Sequence, residues 1–226
     1  MGTSSFKMWV NLVSGAIRSA RGDPNAWESS IREFEAQDKV LPPTVDDILF
    51  LGSSTFTLWS TIEQDLSPLA IVNRGFGGSK MADMSRYFER VVLPHRPRAI
   101  VLFAGTNDLA DPKPASAQDV YEGYLKFVHR VKDALPDTKV YYVAITPTPL
   151  RWKYWDRASQ ANQMIQAHTS QDARLHFIDP TAKFLGQDGK PDRRFFRMDR
   201  LHPNKRGYAL LAQSIKQALE ANQASE

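Results

Sequence analysis

Five short apolar runs of strand length punctuate this chain, at Ile48 to Leu51, Ala70 to Val72, Ala99 to Phe103, Val140 to Ile145 and Leu175 to Ile178. Between them, apolar residues recur at helical spacing. Met81, Met84, Phe88 and Val91 form one stripe, Val120, Tyr124, Val128, Val131 and Leu135 a second, and Tyr208, Leu211, Ile215 and Leu219 the last. The strand runs are apolar throughout rather than at every second position, which predicts strands covered on both faces. Strands alternating with helices predict a parallel sheet, because parallel neighbours need a long crossover between them. The expected architecture is α/β: a five-stranded parallel sheet in a three-layer α/β/α sandwich of flavodoxin-like type, with the Met and aromatic stripes packed as core.

The chain has 226 residues, 42% of them hydrophobic, which suits one such domain. We place its start at residue 45, giving an N-terminal helical extension over 1–44 and the α/β domain over 45–226. In the extension, Asp23-Pro24 has the form of a helix start, and Trp27, Ile31 and Phe34 follow at helical spacing. This helix is expected on the outside of the domain, ending at Leu41-Pro42-Pro43. The apolar stretch Met8 to Val13 is broken by Asn11 and followed by Arg18 and Arg21, too short and polar for a membrane span and a poor signal sequence. Without cysteine there is no disulfide framework and no thiolate metal site, but cytoplasmic and exported locations both stay open. The net charge of +4, from 29 basic and 25 acidic residues, is a mild excess that does not suggest a nucleic-acid partner. His95, His129, His168 and His176 show no paired ligand spacing, so neither a metal nor an organic cofactor is expected. Oligomeric state is left open.

In a parallel sheet the functional loops lie at the carboxyl ends of the strands. Gly52-Ser53-Ser54 follows the first run, Asn73 to Ser79 the second, Gly105-Thr106-Asn107-Asp108 the third and Thr146 to Trp152 the fourth, while Asp199-Arg200-Leu201-His202 lies beyond the fifth. One crevice therefore gathers a hydroxyl, an amide donor, a carboxylate and an imidazole, the parts that acyl transfer requires. Each segment also has a plainer reading. Gly-Ser-Ser and Gly-Thr-Asn are ordinary turn formers. Asp199 can serve an arginine instead of His202, and His202 can cap the final helix.

Taken in order, Ile48 to Ser54, Asn73 to Ser79, Ala104 to Asp108 and Asp199 to Asn204 resemble the successive blocks of the SGNH (GDSL-type) hydrolase superfamily, over roughly Val45 to Leu219. The details of the second and fourth blocks resemble the branch containing platelet-activating-factor acetylhydrolase subunits. This resemblance implies a serine esterase acting on short, often acetyl, esters. It also implies the roles: Ser54 as nucleophile, His202 as base and then acid, Asp199 as its partner, and an oxyanion hole made of the Ser54 and Gly78 backbone N–H groups and the Asn107 side-chain amide. The family's usual Gly-Asp-Ser is Gly-Ser-Ser here, which leaves Ser53 beside the expected nucleophile.

For the substrate, Ser53, Arg151, Trp152 and Phe196 are the candidate contacts, and the expected partner is a small-molecule ester or an acetylated sugar. Aromatic residues at 152, 154, 155, 195 and 196 either wall the crevice or pack in the core. Arg193, Arg194, Arg197 and Arg200 either attract an anion or form a solvated loop paired with Asp192 and Asp199. Two other functions fit the same fold: a carbohydrate O-acetyltransferase or deacetylase using the same site, and a non-catalytic flavodoxin-like binding module. The module has little sequence support, since Gly75-Phe76-Gly77-Gly78 completes neither a dinucleotide fingerprint nor a P-loop.

Overall fold

Each of the five apolar runs forms a strand in the computed structural model, which describes residues 25–45 and 47–223 together with 15, 17–19 and 23. The strands are β1 (Ile48–Gly52), β2 (Ile71–Gly75), β3 (Ala99–Phe103), β4 (Lys139–Val143) and β5 (Leu175–Ile178). They form one parallel sheet of order β2-β1-β3-β4-β5, with Ile48 level with Ile71 on one side and Ala99 on the other. The connecting helices are α1 (Glu28–Val40), α2 (Ser54–Thr57), α3 (Ile62–Leu66), α4 (Met81–Arg86), α5 (Phe88–Val91), α6 (Thr106–Leu109), α7 (Ala117–Ala134), α8 (Trp155–Thr169) and α9 (Lys205–Gln223).

Alternate strand residues enter opposite layers, as the two-residue period of a strand requires. Leu49, Leu51, Ile100, Leu102, Val140 and Tyr142 face one core with residues of α1, α4, α5, α7 and α8. Ile48, Phe50, Val101, Phe103, Tyr141 and Val143 face the other with residues of α2, α3 and α9. The sheet is thus the middle of three layers. No helix among the described residues is long and apolar enough to cross a membrane.

Three boundaries differ from expectation. β2 continues through Asn73, Arg74 and Gly75, which had read as loop, because ladder pairing with β1 runs on to Gly52 and Gly75. β4 ends at Val143. Ile145 leaves the ladder, and its backbone N–H and C=O are taken by the Asn162 amide at 2.9 and 3.0 Å. The stripe from Met81 to Val91 is two helices meeting at Tyr87, where the backbone departs from helical geometry.

At the N-terminal side, Asp23 caps a turn by accepting from the Asn25 N–H at 2.8 Å, and the helix carrying Ile31 and Phe34 begins at Glu28. Pro24, Arg21 and the Met8 to Val13 stretch lie outside the described residues. Trp27 and Ile31 are fully in the core, while Arg90 clamps the polar face of α1 through Glu28 and Glu35.

Candidate active site

The sheet delivers its loops to one edge, and close backbone packing begins the site. A side chain at Gly52 would stand 2.4 Å from the Phe103 carbonyl oxygen, so only glycine lets β1 turn into α2 against β3. Ser54 is the first residue of α2 and is 9% exposed. Its Oγ lies 2.9 Å from His202 Nε2, and His202 Nδ1 lies 2.8 Å from Asp199 Oδ2. An ionised carboxylate only accepts, so Nδ1 carries the ring proton and Nε2 is free to accept from the serine hydroxyl.

Asp199 to His202 form a tight loop rather than a helical turn. Arg197 N–H donates to the His202 carbonyl at 2.8 Å, and Phe196 and Pro203 bridge below it. Arg200 takes a left-handed conformation with φ 59°, and beyond it the Leu201 and His202 N–H groups both donate to Asp199 Oδ1, at 2.9 and 3.0 Å. The two carboxylate oxygens therefore have separate tasks. One holds the loop and the other holds the ring.

Electrostatics match the geometry. Burial lowers the His202 pKa from its ordinary 6.5, and Arg197 and Arg151 lower it further, against the raising effect of Asp199. Partial burial pushes the Asp199 carboxyl up, but hydrogen bonds from the His202 ring and from the His202 and Leu201 N–H groups outweigh it and hold the carboxyl below its usual range. Near neutral pH the ring is neutral and the carboxylate charged.

Asn107 sits in α6, entered through Gly105 at φ 107°. Its Nδ2 donates to the Ser79 carbonyl at 2.8 Å. Gly78, at φ 88°, turns the loop after β2 in a conformation that side-chain-bearing residues rarely adopt. Among the described residues, neither the Ser54 nor the Gly78 N–H donates to a protein acceptor. Next to Asn107, Asp108 is partly buried against the start of α4, accepting from Met81 N–H, and desolvation pushes its pKa up to about 6.

The expected substrate contacts fare differently. Ser53 is fully buried, so its hydroxyl does not reach the cleft, and the expectation for it is corrected: the strand-to-helix reversal points Ser53 inward and Ser54 outward. Phe196, 6% exposed and 5.6 Å from the Phe184 ring, is core packing rather than a cleft wall. Trp152 is half-buried and stacks on Trp155 at 5.9 Å. Arg151 turns to the neighbouring loop, donating to Thr106 Oγ1 and Asn107 Oδ1, each at 2.9 Å. Of the arginine cluster, Arg194 pairs with Asp192, and Arg197 donates to the Leu58 and Pro203 carbonyls. Asp199 serves His202.

Sequence reasoning missed several supporting groups. The Ser79 carbonyl holds Asn107, Arg197 ties the histidine loop to the chain after α2, and the Tyr208 hydroxyl donates to the Thr55 carbonyl at 3.0 Å. All are contacts between distant segments, and local pattern carries no signal for them.

Residues 51–210 match the GDSL-like lipase/acylhydrolase family. Platelet-activating factor acetylhydrolase IB subunit alpha1 from Homo sapiens is 26% identical over 212 residues, covering 90% of this chain and 86% of the relative. Among solved structures, a GDSL-like lipase from Bacteroides thetaiotaomicron superposes with a TM-score of 0.72 at 20% identity, over 84% of this chain and 97% of that one. An acetylxylan esterase from Geobacillus stearothermophilus gives 0.63 at 15% identity, over 78% and 95%. The structural likenesses speak to the fold.

Proposed function

Because the chain belongs to the GDSL-like lipase/acylhydrolase family of the SGNH hydrolase superfamily, and is therefore a carboxylic ester hydrolase, we propose that it cleaves short, acetyl-sized esters through an acyl-enzyme on Ser54. The observation that carries this reading is the unbroken hydrogen-bonded row from Ser54 Oγ through the His202 ring to Asp199. In the first step Ser54 Oγ attacks the ester carbonyl carbon while His202 Nε2 takes its proton. The resulting oxyanion is met by the Ser54 and Gly78 N–H groups and the Asn107 amide. As the tetrahedral intermediate collapses, the C–O bond to the alcohol breaks and the imidazolium returns its proton to the leaving oxygen. Water, deprotonated by the same ring, then attacks the acyl-enzyme; the acyl bond to Ser54 Oγ breaks, the imidazolium returns its proton to that oxygen, and the acid is released. Asp199 keeps the ring in the tautomer that each step needs. We assign this chemistry to a hydrolase unit over 45–226, with 1–44 as its helical extension.

The similarities favour a small acyl group. The relative and one structural neighbour are named for acetyl esters. A sugar as the alcohol half is favoured by the half-buried Trp152 ring on its Trp155 stack, a surface suited to a pyranose face.

A fluorophosphonate probe should label Ser54, and kcat/KM over p-nitrophenyl acetate, butyrate and octanoate should fall by about tenfold or more along the series. A flat or rising profile rejects the short-chain reading while leaving the esterase. Acetylated sugars assayed beside them, with free sugar as competing acceptor, separate hydrolysis from transfer, since transfer yields a new acetylated product.

The His202 environment sets the pH dependence. Only the neutral ring accepts the Ser54 proton, so kcat/KM should rise with pH along a one-proton limb. Because burial lowers the His202 pKa, that midpoint should lie below 6.5. A midpoint above that value in a pH–rate profile would show the ring to be stabilised in its charged form.

A further inference from the structure

We infer that Arg151 is a positioning residue of the oxyanion site, holding the Asn107 amide in the one orientation that aims an N–H into the crevice. The inference rests on Asn107 being an oxyanion donor, as proposed above. A side-chain amide has one acceptor oxygen and two N–H donors, and the two ends look alike in shape. Here Oδ1 accepts from Arg151 Nη2 at 2.9 Å, and one N–H of Nδ2 donates to the Ser79 carbonyl at 2.8 Å. The second N–H is the one left for substrate. Flipping the amide would set its oxygen against the Ser79 carbonyl and its nitrogen against a guanidinium, two repulsive contacts in place of two attractive ones. Arg151 and Ser79 therefore select the same state from opposite sides.

Arg151 is itself held in place. Its Nη1 donates to Thr106 Oγ1 at 2.9 Å, so the planar fork spans two consecutive residues of α6. Its backbone N–H donates to Thr148 Oγ1 at 3.2 Å, and the preceding Leu150 N–H donates to the Arg200 carbonyl at 2.9 Å, linking this turn to the histidine loop. Among the described residues no carboxylate forms an ion pair with it, and burial draws its pKa down to about 10, which still leaves it charged at neutral pH. A partly buried guanidinium whose hydrogen bonds go to neutral acceptors carries a desolvation cost. Its place beside Asn107 gives that cost a use, because the charge also polarises the amide whose N–H meets the oxyanion. Neither sequence spacing nor the family blocks marks this contact, which crosses 44 residues.

The test is a double-mutant cycle on p-nitrophenyl acetate with Arg151→Met and Asn107→Ala. Asn107→Ala alone should lower kcat by about 10²- to 10³-fold, the usual loss for one oxyanion donor. Arg151→Met alone should lower kcat by about 10- to 100-fold, a part of that loss, with KM changed less than about threefold. In the Asn107→Ala background the same Met substitution should cost less than about threefold, since its means of action is already gone. Arg151→Lys, which keeps the charge and one donor, should recover part of the rate. If Arg151→Met proves too unstable to assay, the cycle is run with Arg151→Lys, whose loss should likewise vanish in the Asn107→Ala background. Equal losses in both backgrounds, or a raised KM with kcat intact, would overturn the inference and make Arg151 a substrate contact. If Asn107→Ala retains wild-type kcat, the oxyanion reading beneath it fails. A normal Asn107 effect with a silent Arg151 sinks the Arg151 inference alone.

Discussion

Replacing Ser54 by Ala is expected to lower kcat for a short-chain ester by about 10⁵- to 10⁶-fold, the scale on which a hydroxyl nucleophile contributes with its base intact. The fold should barely notice. The side-chain hydrogen bond of Ser54 is the one to His202 Nε2, and losing a single partly buried hydrogen bond costs about 1 kcal/mol. The backbone N–H proposed for the oxyanion survives in alanine, so substrate should still bind. Ser53 gives no escape route, being fully enclosed one residue earlier. Retained hydrolysis in this variant, with an unchanged melting temperature, would move the nucleophile elsewhere.

Asp199→Asn should be the second most damaging change, lowering kcat by about 10⁴-fold. The two backbone donors on Oδ1, from Leu201 and His202, fix which end of the new amide faces which way. The amide oxygen stays with those N–H groups, which leaves its NH₂ opposite His202 Nδ1. A donor facing that nitrogen favours the tautomer with the proton on Nε2, the atom that has to accept from Ser54. The loop should keep its shape while the ring carries its proton on the wrong side. A variant with near-wild-type kcat and the same melting temperature would show that Asp199 does not set the tautomer.

The fold was legible where periodicity is strong. The apolar runs at β1 and β3 and the stripes on α7 and α9 carry their own burial pattern, so architecture followed from local sequence. Boundaries were less legible because they depend on partners. β2 runs on through polar Asn73 and Arg74 because β1 offers a ladder there, and β4 stops before Ile145 because the Asn162 amide takes over the backbone. In the site, residue types and order brought Ser54, Asn107, Asp199 and His202 to one edge. What remained hidden was orientation. Ser53 and Ser54 are the same residue type at adjacent positions, and only the turn of the chain separates them. Arg151 read as a substrate contact until its partners on α6 were seen, and no spacing rule links positions so far apart.

Ser54 and His202 stand 148 residues apart in the chain and meet only across the top of the finished sheet. All five strands precede that imidazole, so a ribosome-bound intermediate can hold the sheet and the hydroxyl before the proposed base and the α9 layer of the core exist. On the proposed reading hydrolytic competence arrives last during synthesis, together with the helix that completes one layer of the core, so losing the segment after β5 would remove both the base and the packing of Tyr208, Leu211 and Ile215.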